Sequence, residues 1–331
     1  MAYDEKILRR SLARYNEDKQ RRAEAFEARR QEIFRQIPRL EEIDRELRGT
    51  MSKIIASALR RGTDPKPALQ VIRDSNLSLQ RERSALLMER GYEPDELEEK
   101  PECVLCGDTG FRDGTMCRCL QNYYARAQIQ ELSRMLDMGT ASFETFQFDW
   151  YSSQVNPNLG ISPRENMEKN FDVCRDYAHQ FGRRGDNLLL WGDPGLGKTF
   201  LSACIARVVS ENGFSVVYDT AAHIFARFEA AKFRRDDEEE AREDAERCMS
   251  CDLLIVDDLC TEMVTGFVQS TLYQIVNGRL TAGKQTIIST NLDTEGIGRR
   301  YSPQILSRIE GEYEILPFFG EDIRRLKKER E

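Results

Sequence analysis

Over residues 1 to about 100 the apolar positions fall at helical intervals, Ile33, Ile37, Leu40, Ile43, Leu47 and Met51, in a background rich in Arg and Glu and poor in Gly. Spacings of three and four put these side chains on one face and predict an amphipathic helix. Pro38 starts or kinks a helix, and Gly62-Thr63-Asp64-Pro65-Lys66-Pro67 interrupts the pattern before a second helix through Leu69, Ile72, Leu79 and Leu86. The expectation for 1–100 is a helical hairpin or coiled pair, its stripe either packed within the arm or presented to a partner. From about Ser142 the pattern changes. Asn187–Trp191, Phe214–Tyr218, Leu253–Val256 and Gln285–Ser289 are short apolar runs separated by helix-length segments, and Tyr313–Leu316 is a fifth. Runs of this kind are strands buried on both faces of a parallel sheet, so 142–331 is predicted to be an α/β domain, reached through a linker helix at 121–141.

A chain of 331 residues has room for such a domain and a substantial appendage, and its 32% charged content belongs mostly to the exposed helical arm. The net charge of -8 argues against wholesale coating of nucleic acid, which relies on many cations, but permits a local basic surface. No stretch of about 18 apolar residues and no apolar signal core at the N-terminus is present, so a cytoplasmic protein without a membrane partner is expected.

The run ending at Trp191 leads into Gly192-Asp193-Pro194-Gly195-Leu196-Gly197-Lys198-Thr199, and Phe200–Val209 continues with helical apolar spacing. Strand, glycine-rich loop and helix in that order form a phosphate-binding loop, in which backbone N–H groups and a helix N-terminus surround the phosphates of a nucleotide. Lys198 would reach the β- and γ-phosphates and the Thr199 hydroxyl would hold Mg²⁺, making Gly192 to Phe200 the ATP-binding segment. A second run, Leu253–Val256, delivers Asp257 and Asp258 at its C-terminal end. Asp257 would hold the Mg²⁺ shell, and Asp258 would orient or deprotonate the attacking water. Asn291, after Ser289-Thr290, is either a turn residue or a sensor of the γ-phosphate. Arg308, in Leu306-Ser307-Arg308-Ile309, is either a surface arginine or a finger inserted into a neighbouring subunit's site, which would imply self-association through ATP.

Two further segments carry chemistry. Cys103-x2-Cys106 and Cys117-x-Cys119 present four thiols across ten intervening residues, a set suited to a closed structural Zn²⁺ knuckle over 101–120, with an iron–sulfur cluster as the alternative. The other five cysteines are scattered and read as small core residues. Between the second and third strands, Phe225, Arg227, Phe228, Lys232, Arg234 and Arg235 interleave aromatic and basic groups. This suits single-stranded DNA, or else the segment is an amphipathic helix that buries Phe225 and Phe228.

From about Ser142 to Arg325, somewhat over half of the chain, the sequence resembles the AAA+ ATPases of the DnaC/DnaI helicase-loader group, with the IstB transposition helpers close behind. The residues carrying the resemblance are 192–199, Leu253-Leu254-Ile255-Val256-Asp257-Asp258, Ser289-Thr290-Asn291-Leu292, Ser307-Arg308-Ile309 and the Cys103-Val104-Leu105-Cys106-Gly107-Asp108-Thr109-Gly110 stretch. The resemblance implies a five-stranded parallel sheet in the order 5-1-4-3-2, ATP bound between subunits, and loading of a replicative ring helicase onto single-stranded DNA. It also places Arg324 where this group ends with an arginine that senses nucleotide, although the usual helical lid is not evident. Asp258 stands where many relatives have Glu, which implies slow hydrolysis. The arm and knuckle would hold the helicase. An IstB-like transposition helper, or an ATP-switched adaptor with little turnover, is the competing expectation.

Overall fold

The computed structural model describes residues 3–50, 66–136, 141–183, 185–233 and 238–330. They divide into two compact units, Ala13–Cys117 and Met1–Leu12 with Arg118–Glu331.

In the first unit, helix α1 (Glu5–Gln36) gives way to α2 (Pro38–Arg48), and α3 (Lys66–Glu89) follows. Pro38 has no N–H to offer α1 and occupies the first turn of α2, where none is needed, so the chain breaks at Ile37. The predicted stripe turns inward: Ile33, Phe34, Ile37 and Leu40 form a small core with Leu87 and Leu97, and Ile43 is also fully buried. Ion pairs from Arg30 to Asp44 (2.6 Å) and from Arg39 to Glu82 (2.8 Å) flank it. Met51 and the break at residues 62–65 lie outside the described residues, as does the side chain of Leu69. The unit ends in a hairpin of two-residue strands, β1 (Phe111–Arg112) and β2 (Thr115–Met116). Its turn, Asp113-Gly114, has φ of 50° and 76°, the doubly left-handed geometry of a tight hairpin turn, which Asp and Gly tolerate.

The second unit is built on a five-stranded parallel sheet of β3 (Asn187–Gly192), β4 (Val216–Thr220), β5 (Leu253–Leu259), β6 (Gln285–Thr290) and β7 (Tyr313–Phe318). Its order is β4-β5-β6-β3-β7, the expected 5-1-4-3-2 read from the other edge. Alternate residues divide between two cores. Leu188, Leu190, Tyr218, Ile255 and Ile287 face α5 (Pro163–Gln180) and α6 (Lys198–Glu211), whereas Leu189, Val217, Leu254, Val256 and Ile288 face α7 (Ala221–Phe233), α8 (Glu238–Ser250) and α9 (Gly266–Thr281). Burial on both faces is why the runs lack polar alternation. Because the strands are parallel, β3, β5 and β6 end at one edge, with Trp191 beside Thr290 and Thr290 beside Leu259. The loops that follow them are therefore gathered together.

The second strand starts two residues later than its apolar run suggests. The Phe214 ring packs edge-on to Phe181 at 5.0 Å, and Ser215 is tied to Asp252 by its N–H (3.1 Å) and its hydroxyl (2.9 Å). The helix at 118–136, α4, is more than a connection. Gln128, buried on it, donates to Ser210 Oγ (2.8 Å) and the Phe214 carbonyl (2.9 Å) and accepts from the Val216 N–H (3.1 Å). It thereby covers the outer edge of β4, which would otherwise be an unpaired template. The first turn of α1 joins this unit too: Asp4 takes the Tyr124 hydroxyl as acceptor for its own N–H (2.9 Å) and pairs with Arg247.

Arg279 on α9 is fully buried, and its guanidinium donates to the carbonyls of Cys248 (2.8 Å), Cys251 (3.0 Å) and Gln285 (2.6 Å) and to Thr286 Oγ1 (3.0 Å). It collects the unpaired carbonyls at the end of α8, where a helix favours positive charge. Arg279→Ala should lower stability by about 4 kcal/mol, since several buried acceptors lose their donor at roughly 1–3 kcal/mol each. Urea denaturation followed by far-UV circular dichroism measures it.

Candidate nucleotide and metal sites

The loop Gly192–Gly197 runs from the end of β3 into α6, which starts at Lys198. Gly195 has φ of 76°, and a Cβ there would collide with the Asp322 carboxylate, so only glycine fits. Asp193 and Pro194 form the crest of the loop, and the buried Leu196 anchors it in the core, where its carbonyl accepts from the Tyr151 hydroxyl at 3.0 Å. Phe200 packs against that core and meets Phe146 edge-on at 5.6 Å. The loop is also held from the C-terminal side, because the Ile323 N–H donates to the Gly195 carbonyl at 3.1 Å.

Lys198 is 5% exposed, and its ammonium donates to the carbonyls of Gly192 (2.5 Å) and Asp193 (2.8 Å) and to Asn291 Oδ1 (2.9 Å). Burial lowers its pKa, while the charges of Asp258, Asp257 and Asp193 oppose the shift. Asn291, just past β6, thus acts here as a ligand of the loop lysine rather than only as a turn residue.

Asp257 is 2% exposed and its carboxylate is fully engaged: it accepts from Thr199 Oγ1 (3.4 Å), from the Tyr218 hydroxyl (3.0 Å) and from Ser289 Oγ. Asp258 would point to the opposite face in a regular strand. The β5–β6 register slips between Val256 and Leu259, and Asp258 has φ of 53°. Such a bulge re-aims the side chain, and Asp258 consequently responds to the charges of Lys198 and Arg324. Its pKa is raised, first by burial and then by Asp257, with Lys198 and Arg324 holding it back.

Arg324, on the final helix α12 (Ile323–Arg330), is exposed, and its N–H donates to Asp322 Oδ1 at 2.8 Å. Arg308 is exposed on α11 (Pro303–Glu312), whose buried face carries Ile305 and Ile309. Sequence reasoning missed Tyr218, Ser289 and Tyr151. A hydroxyl within an apolar strand run was the available signal for the first two, since a buried strand offers it few partners other than a functional carboxylate.

The aromatic and basic segment requires a correction. Phe225 and Phe228 are 4% and 9% exposed and fill the core beneath α7, because their spacing with Ile224 forms the helix's inner stripe. Arg227 is paired with the buried Asp219 at the end of β4. None of the three offers a ring or a free charge to DNA. Lys232 is exposed and lies 5.4 Å from the Phe267 ring centroid. Arg234 and Arg235 lie outside the described residues.

The sulfurs of Cys103, Cys106, Cys117 and Cys119 all lie within 4.8 Å of one another, and Cys103 and Cys117 are 3.7 Å apart. Four thiolates at about 2.3 Å from one zinc ion would be about 3.8 Å from each other, so the donor set fits a closed tetrahedral site. The local turns support it: Asp108 accepts from the Glu102 (3.0 Å) and Cys103 (2.8 Å) N–H groups, and Cys117 N–H donates to the Gly110 carbonyl (2.9 Å). The remaining cysteines are buried apart from the half-buried Cys260.

Residues 173–330 match the family described as IstB-like ATP binding protein. The Replicative helicase loader DnaC of Buchnera aphidicola subsp. Baizongia pistaciae (strain Bp) is 24% identical over 145 residues, 44% of this chain and 58% of that protein. The Putative insertion sequence ATP-binding protein y4iQ/y4nD/y4sD of Sinorhizobium fredii (strain NBRC 101917 / NGR234) is 31% identical over 96 residues, 29% of this chain and 31% of that protein. Among solved structures, the crystal structure of the DnaC helicase loader aligns with a TM-score of 0.44 at 19% identity, covering 55% of this chain and 99% of that one. The chain thus spans somewhat over half the length of the DnaC relatives it matches. Residues 173–330 are similar to the IstB-like ATP-binding family, and the similar proteins include DnaC helicase loaders. Among the described residues no helix is long and apolar enough to cross a membrane.

If the four cysteines hold zinc, metal analysis of the purified protein will find about one equivalent per chain, and a strong chelator will unfold 101–120 while nucleotide binding persists. Hydrogen exchange over that segment and a fluorescent ATP analogue measure the two effects.

Proposed function

We propose that this protein hydrolyses ATP slowly at the loop of residues 192–199 and uses the nucleotide to load a replicative ring helicase onto single-stranded DNA. The observation that carries the reading is the convergence of Lys198, Thr199, Asp257, Asp258 and Asn291 at one edge of the sheet. In this reading Lys198 neutralises the outer phosphates, and Asn291 holds its ammonium in place. Thr199 and Asp257 would hold Mg²⁺, which supplies charge neutralisation on the phosphates. Asp258 orients the attacking water and takes up its proton; burial, by raising its pKa, makes it a better base than an ordinary surface aspartate. Arg324 approaches from the same chain. Arg308, exposed on α11, is the arginine that a neighbouring subunit's site would use.

The DnaC relatives support a loader, and the four-cysteine knuckle with the helical unit at 13–117 supports a separate partner-binding region. With Phe225, Phe228 and Arg227 committed to the fold, contact with DNA falls to Lys232 and to Arg234 and Arg235.

Lys198→Ala should abolish ATP binding. Asp258→Asn should retain binding and lower turnover by about a hundredfold or more, the scale of a lost general base. Arg308→Ala should leave ATP binding by the monomer unchanged and remove turnover that rises with protein concentration. Equilibrium binding and phosphate release, each against protein concentration, separate these effects; unchanged turnover in Asp258→Asn defeats the mechanism. The full chain, immobilised with ATP, should retain a ring helicase from lysate, whereas retention of a transposase would transfer the assignment to the transposition helpers.

A further inference from the structure

The end of β5 and the loop after it hold two non-glycine residues in the left-handed region, Asp258 at φ 53° and Cys260 at φ 116°. Among the described residues the other two such positions, Asp108 and Asp113, sit in the knuckle turns. Aspartate tolerates this region, but cysteine rarely adopts it, so contacts from outside the loop must impose the conformation. Those contacts come from the end of β6 and the connection that follows it. Thr290 Oγ1 donates to the Leu259 carbonyl at 2.6 Å. Arg300, at the end of α10 (Thr294–Arg300), donates through one nitrogen to the carbonyls of both Cys260 and Glu262, each at 2.8 Å. The Tyr301 hydroxyl, on a residue only 2% exposed, donates to Glu262 Oε1, and Glu262 Oε2 accepts the Cys260 N–H at 3.1 Å. Glu262 therefore joins the strained backbone to the buried tyrosine, and Arg300 closes the loop from the other side.

We infer that Arg300, Tyr301 and Glu262 form a clamp that fixes the loop 258–262 and thereby positions Asp258 for its work on the attacking water. The inference rests on the reading of this site as an ATPase. None of the three touches the nucleotide loop in the structure, so each is a positioning residue. Asn291 and Asp293, the N-cap of α10, lie on the same connection as Arg300 and Tyr301, so the sensor and two of the three clamp residues share one short segment. The clamp explains why an exposed arginine is aimed at backbone carbonyls: its task is geometric.

The test uses the full chain with Arg300→Ala and Arg300→Lys, the lysine retaining an ammonium that can donate to the same carbonyls. Hydrogen exchange of the peptide covering 257–264 should speed up in Arg300→Ala and return towards wild type in Arg300→Lys. Turnover should fall at least about tenfold in kcat, the scale set by misplacing a reacting group, with KM changed by less than about twofold. In an Asp258→Asn background Arg300→Ala should cause no further loss of turnover. Unchanged exchange overturns the clamp, and faster exchange with unchanged kcat overturns its role in positioning. If the wild-type chain shows no turnover at any concentration, the ATPase reading fails, and the exchange result alone decides whether the clamp exists.

Discussion

The buried ammonium of Lys198 is the constraint to which the rest of the site answers. A cation taken out of water is costly unless polar groups close around it. Here two loop carbonyls and Asn291 take its three protons, and Asp258, Asp257 and Asp193 supply the compensating field. Those groups come from three places, the loop after β3, the end of β5 and the residue after β6. The carbonyls need the loop to curl back over the start of α6, Asn291 needs β6 to end beside β3, and the acids need β5 to end beside β6. A parallel sheet in the order β4-β5-β6-β3-β7 meets all three conditions at one edge, so the topology is inseparable from the chemistry.

A second level of design concerns direction. Asp257 follows the strand's alternation and is locked by Tyr218 and Ser289, which leaves it little freedom to swing. Asp258 departs from the alternation through a register slip and a left-handed backbone. The two acids therefore differ in rigidity and in exposure, which suits one to hold an ion and the other to handle a proton. Strain of this kind is maintained only where surrounding contacts over-determine it, and the connection from Asn291 to Tyr301 supplies those contacts.

How far this was legible in the sequence depended on how narrowly chemistry restricts residue type. Phosphate binding demands glycines, a lysine and a hydroxyl at fixed offsets, so 192–199 identified itself, and two acids ending an apolar run identified β5. The sheet order followed from resemblance rather than from pattern. The bulge at Asp258 was invisible because φ is not written in residue type when the residue is aspartate. Tyr218 and Ser289 were hidden inside runs that look like ordinary core. Phe225 and Phe228 stayed open between DNA stacking and a helix's inner stripe because interleaved aromatics and cations suit both, and the buried Asp219 that neutralises Arg227 lies in a different element. The edge-covering role of Gln128 and the docking of Asp4 on Tyr124 depend on contacts far apart in sequence, which no local period reports.

The central claim is that this sheet edge recognises the phosphates of ATP. Calorimetric titration of the full chain with ATP and with AMP, each with Mg²⁺, tests it most directly. The account predicts one ATP site per chain and binding of AMP weaker by at least about a hundredfold, the loss of roughly 3 kcal/mol expected when the groups facing Lys198, Thr199 and Asp257 are removed. Equal affinity for AMP and ATP would contradict it, because the recognition would then come from the base and sugar and not from the loop.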